Sequence, residues 1–243
     1  MFSNGVKTHY AQKLESVHNF RDYENARWGR NDIQRGYFEM THNTIERLSN
    51  NVRFLHCIEV GPGPGTWTKI FIKKHPKARF DLVDTSEKML TLAKEHLFEK
   101  KNIRYYESDV MSFKPDRTYD FFFSSRTFEY IEPKDEASRK IASLCQKGSQ
   151  GILITKMPKP FHGWLKPESR SSIHTKRISP HKLKKLLEIN HCTVTGIYPT
   201  TMNFPMIRSA KLNWFLYRVF SKKNLSFLSQ LFTESYCITF KKQ

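Results

Sequence analysis

The sequence predicts an α/β fold, with a seven-stranded, mainly parallel sheet covered by helices on both faces. Three observations lead there. Short apolar runs alternate with segments of helical periodicity from about residue 51 onward. The first run ends in a cluster of glycines, which suits a buried strand that turns sharply into a helix. The chain has 243 residues, 38% hydrophobic and 14% aromatic, enough to bury a sizeable core without staples.

Taken in order, residues up to about Asn50 read as helical, with Ile33, Tyr37, Met40, Ile45 and Leu48 near helical spacing. Phe54 to Val60 reads as the first strand, Thr66 to Lys74 as a helix and Arg79 to Asp84 as the second strand. Ser86 can cap the next helix, whose Met89, Ala93, His96 and Leu97 share a face. Ile103 to Tyr106 and Tyr119 to Ser124 follow as strands. Pro133 suits the first turn of a helix carrying Ala137, Ile141 and Leu144. Gly151 to Thr155 is the fifth strand, and Ser179-Pro180 opens a helix with Leu183, Leu186 and Leu187 inward. Cys192 to Tyr198 and Glu234 to Phe240 make seven. Between these last two lies an amphipathic segment with Leu212, Phe215, Leu216, Val219 and Phe220 at i, i+3, i+4, i+7, i+8. A connection of that size is expected to be functional. Its apolar face is expected to pack inward, as a helical cover over the acceptor side of the site.

Three regions of one domain are therefore expected. Residues 1–50 form an N-terminal helical cap, 51–199 a ligand-binding core, and 200–243 the cover and final strand. Cys57, Cys145, Cys192 and Cys237 are far apart and show no spacing that suits zinc, so no metal is expected and a reducing, cytoplasmic home is the simpler reading. Met1 to Tyr10 has no basic segment leading into an apolar run, so no signal peptide is expected there. No apolar stretch approaches the ~20 residues that span a bilayer.

The net charge of +18 is unevenly spread. Residues 1–155 hold 25 Lys and Arg against 20 Asp and Glu, whereas residues 156–243 hold 16 against 3. A field of that sign attracts phosphate, on nucleic acid, lipid or a small substrate.

The chemistry-bearing motif is Glu59-Val60-Gly61-Pro62-Gly63-Pro64-Gly65, between a strand and a helix. Glycines let the chain turn and let a ligand lie against bare backbone. Nineteen residues after Gly65 stands Asp84, at the end of the second strand, where a carboxylate can accept hydrogen bonds from both ribose hydroxyls of an adenosine ligand. A dinucleotide fingerprint would read G-x-G-x-x-G/A, and here the third position is Thr66. The G-x-G-x-G spacing behind an acidic residue points away from a nicotinamide and toward S-adenosylmethionine.

The segments IEVGPGPGTW, FDLVDTSEKMLTLAKEH, IRYYESDVMSF, YDFFFSSRTFEYI and LCQKGSQGILIT run in consecutive order through roughly 100 residues. They resemble the core of class I S-adenosylmethionine-dependent methyltransferases, closest in style to those acting on quinones, lipids, sugars and small metabolites. Lys147-Gly148-Ser149 stands in a degraded form of the usual LKPGG turn. The resemblance implies a Rossmann-like sheet with its last strand antiparallel and a helical insertion before it. It implies that Glu59, Gly61, Gly63 and Gly65 line the methionine moiety, and that Asp84, with Thr85 and Ser86 beside it, holds the ribose. Asp109 would accept from the adenine amino group, Val110 would offer backbone contacts, and Ser124 and Ser125 would lie near the sulfonium.

The acceptor end is less specified. Methyl transfer needs alignment and desolvation, and a base only where the nucleophile arrives protonated. Where many relatives carry histidine after the fourth strand, this chain reads Glu129-Tyr130-Ile131. Tyr130, His162 and His174 are the candidate catalytic residues. Trp164 and Tyr37 could wall an acceptor pocket, with ordinary core packing ranked above that use. Ser124-Ser125-Arg126 takes the place of a [DN]PP[YF] motif, which argues against amino methylation of bases, and no cysteine stands where cytosine-C5 chemistry needs one. The segments FFSSRTFEYI, HTKRIS and ESYCITF further resemble methyltransferases of surface-glycan or glycolipid assembly. The expected activity is methylation of an oxygen on a glycan, a lipid-linked or another small-molecule acceptor. An RNA-directed enzyme and a silent S-adenosylmethionine-binding module are the alternatives. The expected partners are that acceptor and, peripherally, an anionic membrane surface, with nucleic acid ranked below both.

Overall fold

The computed structural model describes residues 17–98, 102–158, 177–204 and 207–243. Seven strands are present among them: β1 (His56–Val60), β2 (Arg79–Asp84), β3 (Ile103–Glu107), β4 (Tyr119–Ser125), β5 (Cys145–Lys156), β6 (Cys192–Met202) and β7 (Thr233–Lys242). They form one sheet in the order β3-β2-β1-β4-β5-β7-β6. The first five strands run parallel, and β7 lies antiparallel between β5 and β6.

Side chains along the central strands alternate between two cores, as the two-residue period of a strand requires. Phe121 and Phe123 face one core with Cys57, Ile152, Ile154 and Cys237. Phe122 faces the other with Ile58, Leu153 and Ile238. Helices α2 (Asp32–Ser49) and α3 (Thr68–Lys74) cover the first face through Ile45, Leu48, Ile70 and Phe71. Helices α5 (Lys134–Leu144) and α6 (Pro180–Ile189) cover the second through Ala137, Ile141, Leu183 and Leu187. Helix α4 (Glu87–His96) starts where expected, with the Ser86 hydroxyl accepting from Met89 N at 3.3 Å. Ser179 likewise caps α6, with Pro180 in its first turn.

Three differences from the sequence reading have local causes. The N-terminal helical region is broken after α1 (Phe20–Trp28), because Asn31 caps α2 by accepting from Gln34 N at 3.0 Å. Strand β5 begins at Cys145, six residues before its apolar run, and pairs with β4 across a register shift near Tyr119. The largest difference lies in α7 (Ala210–Phe220), which packs on α2 and β6. Its buried residues are Asn213, Leu216 and Tyr217, while Phe215 and Val219 are 61% and 41% exposed. The helix is amphipathic, but rotated: polar Asn213 points inward because its side-chain oxygen accepts from Phe204 N at 2.7 Å. Part of the apolar stripe therefore faces solvent.

Candidate functional site

Parallel β1 has β2 on one side and β4 on the other, so the crossovers leave it in opposite directions and open a crevice at the carboxyl ends of the three strands. A cavity of about 400 Å³ occupies that crevice. Its floor is the loop after β1, with Gly61, Pro62 and Gly63. One wall is the end of β2 with Asp84 and Thr85. The opposite wall is the turn after β4, with Ser125, Arg126, Thr127 and Tyr130. Val110 and Ser108 close the end beyond β3, and Tyr23, Arg27 and Trp28 of α1 form the roof.

The loop conformation requires its glycines. Gly61 has φ +69°, and a Cβ there would lie 1.9 Å from Thr127 Oγ1, so the loop crosses directly beneath the β4 turn. Gly63 has φ +56°, yet a Cβ there would meet nothing within 4 Å, which leaves bare backbone facing the cavity. Its N–H donates to Asp84 Oδ2 at 3.1 Å, and Ser86 N donates to Oδ1 at 3.0 Å. Asp84 thus ties the glycine loop to the β2 turn, and a backbone hydrogen bond from Thr85 also reaches its carboxylate. Burial pushes its carboxyl up to about 6 against those backbone bonds. Glu59 lies deeper, fully buried with one carboxylate oxygen unpartnered among the described residues, and burial first, opposed by a Thr68 hydrogen bond, and then the charge of Asp84 push it up to about 8.

Of the residues singled out from sequence, Gly61, Gly63, Asp84, Thr85, Val110 and Tyr130 line the cavity. Glu59, Gly65, Asp109 and Ser124 do not. Gly65 packs against Leu97, and Asp109 turns back to accept from Met111 N at 3.0 Å. Ser124 is committed to the sheet, donating to Val60 O at 2.8 Å. Its neighbour Ser125 faces the cavity instead, with a buried hydroxyl that has no partner among the described residues. Tyr37 lies outside the lining, in a cluster with Met40, Met202, Leu216 and Tyr217. His162, Trp164 and His174 lie outside the described residues.

Sequence reasoning missed the α1 roof and Arg126. Arg126 adopts φ 62°, a left-handed conformation uncommon for a side-chain-bearing residue. Its Nε donates to Glu129 Oε1 at 2.9 Å, and Thr155 donates to Glu129 Oε2 at 3.1 Å. Burial is the largest influence on Glu129 and opposes its charge, but Arg126, Lys156 and the Thr155 hydrogen bond together hold the carboxyl below the usual range. Lys156, near Glu129 and 3.8 Å from Glu234, is pushed down to about 8 by burial and then by Arg126. The wall by β4 and β5 thus holds two cations matched by two carboxylates, Arg126 with Glu129 and Lys156 with Glu234. The one available signal was arginine, a costly residue to bury, directly after the apolar run of β4.

Among the described residues no group of three His, Cys, Asp or Glu side chains is placed to hold a metal ion, the four cysteines are free and buried, and no helix is long and apolar enough to cross a membrane.

Residues 57–148 match the family described as "Methyltransferase domain". The chain is 32% identical over 95 residues to malonyl-[acyl-carrier protein] O-methyltransferase 1 of Ilyobacter polytropus, covering 39% of this chain and 35% of that one. It is 26% identical over 117 residues to trans-aconitate 2-methyltransferase of Escherichia coli, covering 48% and 42%. The chain thus spans between a third and about half of the length of the curated relatives it matches. In fold it is similar to the N-methyltransferase NodS of Bradyrhizobium japonicum in complex with S-adenosyl-L-homocysteine, with TM-score 0.65, 12% identity, and 98% and 99% of the two chains covered. It is also similar to magnesium protoporphyrin IX methyltransferase of Synechocystis with the same ligand bound, with TM-score 0.59, 16% identity, and 99% and 95% covered.

Proposed function

Residues 57–148 form a class I methyltransferase domain, and from that premise we propose that the chain transfers a methyl group from S-adenosylmethionine to an oxygen of a small, acidic acceptor. The observation that carries the donor half is the glycine loop tied to Asp84 around the 400 Å³ cavity. The residues present fit the donor. Asp84 lines the cavity at the end of β2, where its carboxylate can accept from the ribose hydroxyls. The exposed backbone at Gly63 admits the methionyl chain, and Val110 with Ser108 flanks the adenine end. Glu59, Gly65, Asp109 and Ser124 act on the donor through the shape and charge of the loops that they fix. When bound, the donor supplies an electrophilic methyl on a sulfonium. The roof of α1 keeps water from the displacement.

Three observations support an acidic acceptor. Arg27 and Arg126 both border the cavity, where two guanidinium groups can attract an anion although Arg126 is already paired with Glu129. The orphaned Ser125 hydroxyl offers a donor beside them. The two kinds of curated relative are named for a malonyl group and for aconitate, which are carboxylic acids. An ionised carboxylate needs no general base, which agrees with tyrosine standing where relatives carry histidine. Tyr130 then orients the acceptor instead of deprotonating it. The acid group is carried by a glycan, a lipid-linked compound or a free metabolite.

The test is incubation of the protein with donor labelled in the methyl group and with separate small-molecule, glycan, lipid and RNA fractions. Label is expected outside RNA and released as methanol by mild base, as a methyl ester requires. Base-stable label would overturn the acidic acceptor, and label in RNA alone would overturn the acceptor class. Calorimetry should show S-adenosylhomocysteine binding; tight binding of NAD without it would overturn the donor.

A further inference from the structure

We propose that the outer face of α7 and α8 (Phe227–Gln230) docks the protein onto an anionic lipid surface. The proposal does not depend on methyl transfer.

Five large apolar side chains between residues 207 and 228 are exposed. Phe227 is 81% exposed, Phe215 61%, Leu228 55%, Ile207 53% and Val219 41%. Those on α7 are not scattered. At 100° per residue, Lys211, Phe215, Arg218 and Val219 fall within about a third of the helix circumference, and Lys222 continues the same line past its end. Apolar and cationic groups therefore share one outward stripe on α7, and Phe227 and Leu228 of α8 come after a connection in which Asn224 and Leu225 bond to Ile197 of β6.

The stripe is held, not frayed. Leu216 and Tyr217 are buried beneath it, and the Tyr217 hydroxyl lies 2.9 Å from Thr44 Oγ1. Arg47 Nη2 donates to Ser221 O at 2.9 Å, which ties the C-terminal end of α7 to α2. The Ser226 and Ser229 side chains cap α8 reciprocally. Exposing this much apolar surface on a rigid scaffold marks a docking face.

Charge decides the occupant. From Ile189 to Thr233 the sequence has no Asp or Glu, while Lys211, Arg218 and Lys222 lie along the stripe and Arg208 and Lys223 flank it in sequence. Asp32 and Glu39 of α2 border a groove beside Lys211 and Trp214, so acids stand next to Lys211 at the inner rim. A second copy would bring this stripe against itself, like charge on like charge. Nucleic acid would take the cations but has no use for Val219 and Leu228. An anionic bilayer takes both, with lysines at the phosphates and apolar side chains at the acyl boundary. An α7 of 11 residues is too short to cross and lies in the interface plane.

The experiment is co-sedimentation of the full chain with vesicles of phosphatidylcholine alone and of phosphatidylcholine with about one third phosphatidylglycerol. Saturable binding is expected only to the anionic vesicles, weakening as salt rises from about 0.1 M to about 1 M. Replacing Lys211, Arg218, Lys222 and Lys223 by Gln should weaken it at least ten-fold. So should Phe215→Ser with Val219→Ser, Phe227→Ser and Leu228→Ser, with an unchanged circular dichroism spectrum. If that set unfolds the chain, Phe227→Ser alone, at the most exposed of these positions, should still cost about three-fold. No binding to anionic vesicles overturns the proposal. Binding that survives the apolar changes, alongside equal binding of a single-stranded RNA oligomer, assigns the face to nucleic-acid phosphate. A concentration-dependent dimer dissolved by Phe227→Ser assigns it to self-association.

Discussion

The crevice at the ends of β1, β2 and β4 and the layer formed by α7 and α8 are built by different rules. In the crevice, position is dictated by backbone. Gly61 is admissible because Thr127 leaves no room for a Cβ, and Asp84 is aimed by two backbone N–H groups. In the α7 layer, position is dictated by tertiary packing. The same apolar stripe could have turned inward or outward, and a hydrogen bond from Phe204 N to Asn213 settles its rotation. Function tied to backbone geometry leaves a motif in the sequence; function tied to a helix face leaves only a period.

The largest expected effect lies in the crevice. Gly61→Ala must adopt a left-handed backbone and displace the Thr127 side chain, so it should lower stability by about 3 kcal/mol or more. Gly63→Ala faces open space and should cost only about 1 kcal/mol, from its left-handed conformation. Urea denaturation of both variants measures the gap. Equal losses would mean that the loop does not run close beneath the β4 turn.

The second contrast lies within α7. Leu216 is 8% exposed and Phe215 61%, though they are neighbours in sequence. Leu216→Ala should cost about 2–3 kcal/mol in a thermal or chemical melt. Phe215→Ala should fall within about 0.5 kcal/mol. A large loss at Phe215 would restore the inward-facing stripe expected from periodicity alone.

These two contrasts also mark what the sequence made legible. The strand alternation, the caps at Ser86 and Ser179 and the glycine loop follow from local chemistry, and each was readable. So were Gly61, Gly63, Asp84, Thr85, Val110 and Tyr130 as neighbours of one cavity, since strand ends and turns fix them. Ser124 and Ser125 could not be told apart, because a one-residue step along a strand exchanges the sheet for the cavity. The α1 roof was invisible for another reason: α1 buries none of its residues, so its pattern gives no face, and only the folded chain brings Arg27 over the loop. Arg126 combines a left-handed backbone with a buried partner three residues on, and neither feature has a periodic signature.

At Asp84 the effect is on the ligand. Asp84→Ala should weaken S-adenosylhomocysteine binding by about 1.5–3 kcal/mol, the range for hydrogen bonds to a charged group. The ligand-free carboxyl is pushed up to about 6, so protonation below that pH removes the acceptor that the ribose requires. Affinity should therefore be full above about pH 7 and fall as pH drops through about 6, and Asp84→Asn should flatten that dependence. Calorimetry across the range checks it. A wild-type profile as flat as that of the variant would remove Asp84 from the binding site.

The smallest expected effect tests whether the two regions act separately. None of the residues of α7 or α8 lines the cavity, and α7 packs instead on α2 and β6. Replacing Lys211, Arg218, Lys222 and Lys223 by Gln removes four positive charges from the outer face. At about 0.15 M salt the screening length is about 8 Å, so exposed charges on a helix outside the crevice contribute little to a ligand within it. Affinity for S-adenosylhomocysteine should change by less than about 0.5 kcal/mol, the range within which independent sites add. The same protein should lose its hold on anionic vesicles, which separates a lipid-facing role from a donor-facing one in one preparation. A ten-fold loss of ligand affinity would reverse the reading: the charges of α7 would then act on the crevice, as a cover closing over the bound ligand would require, and the backbone-built and packing-built halves of the molecule would form one site.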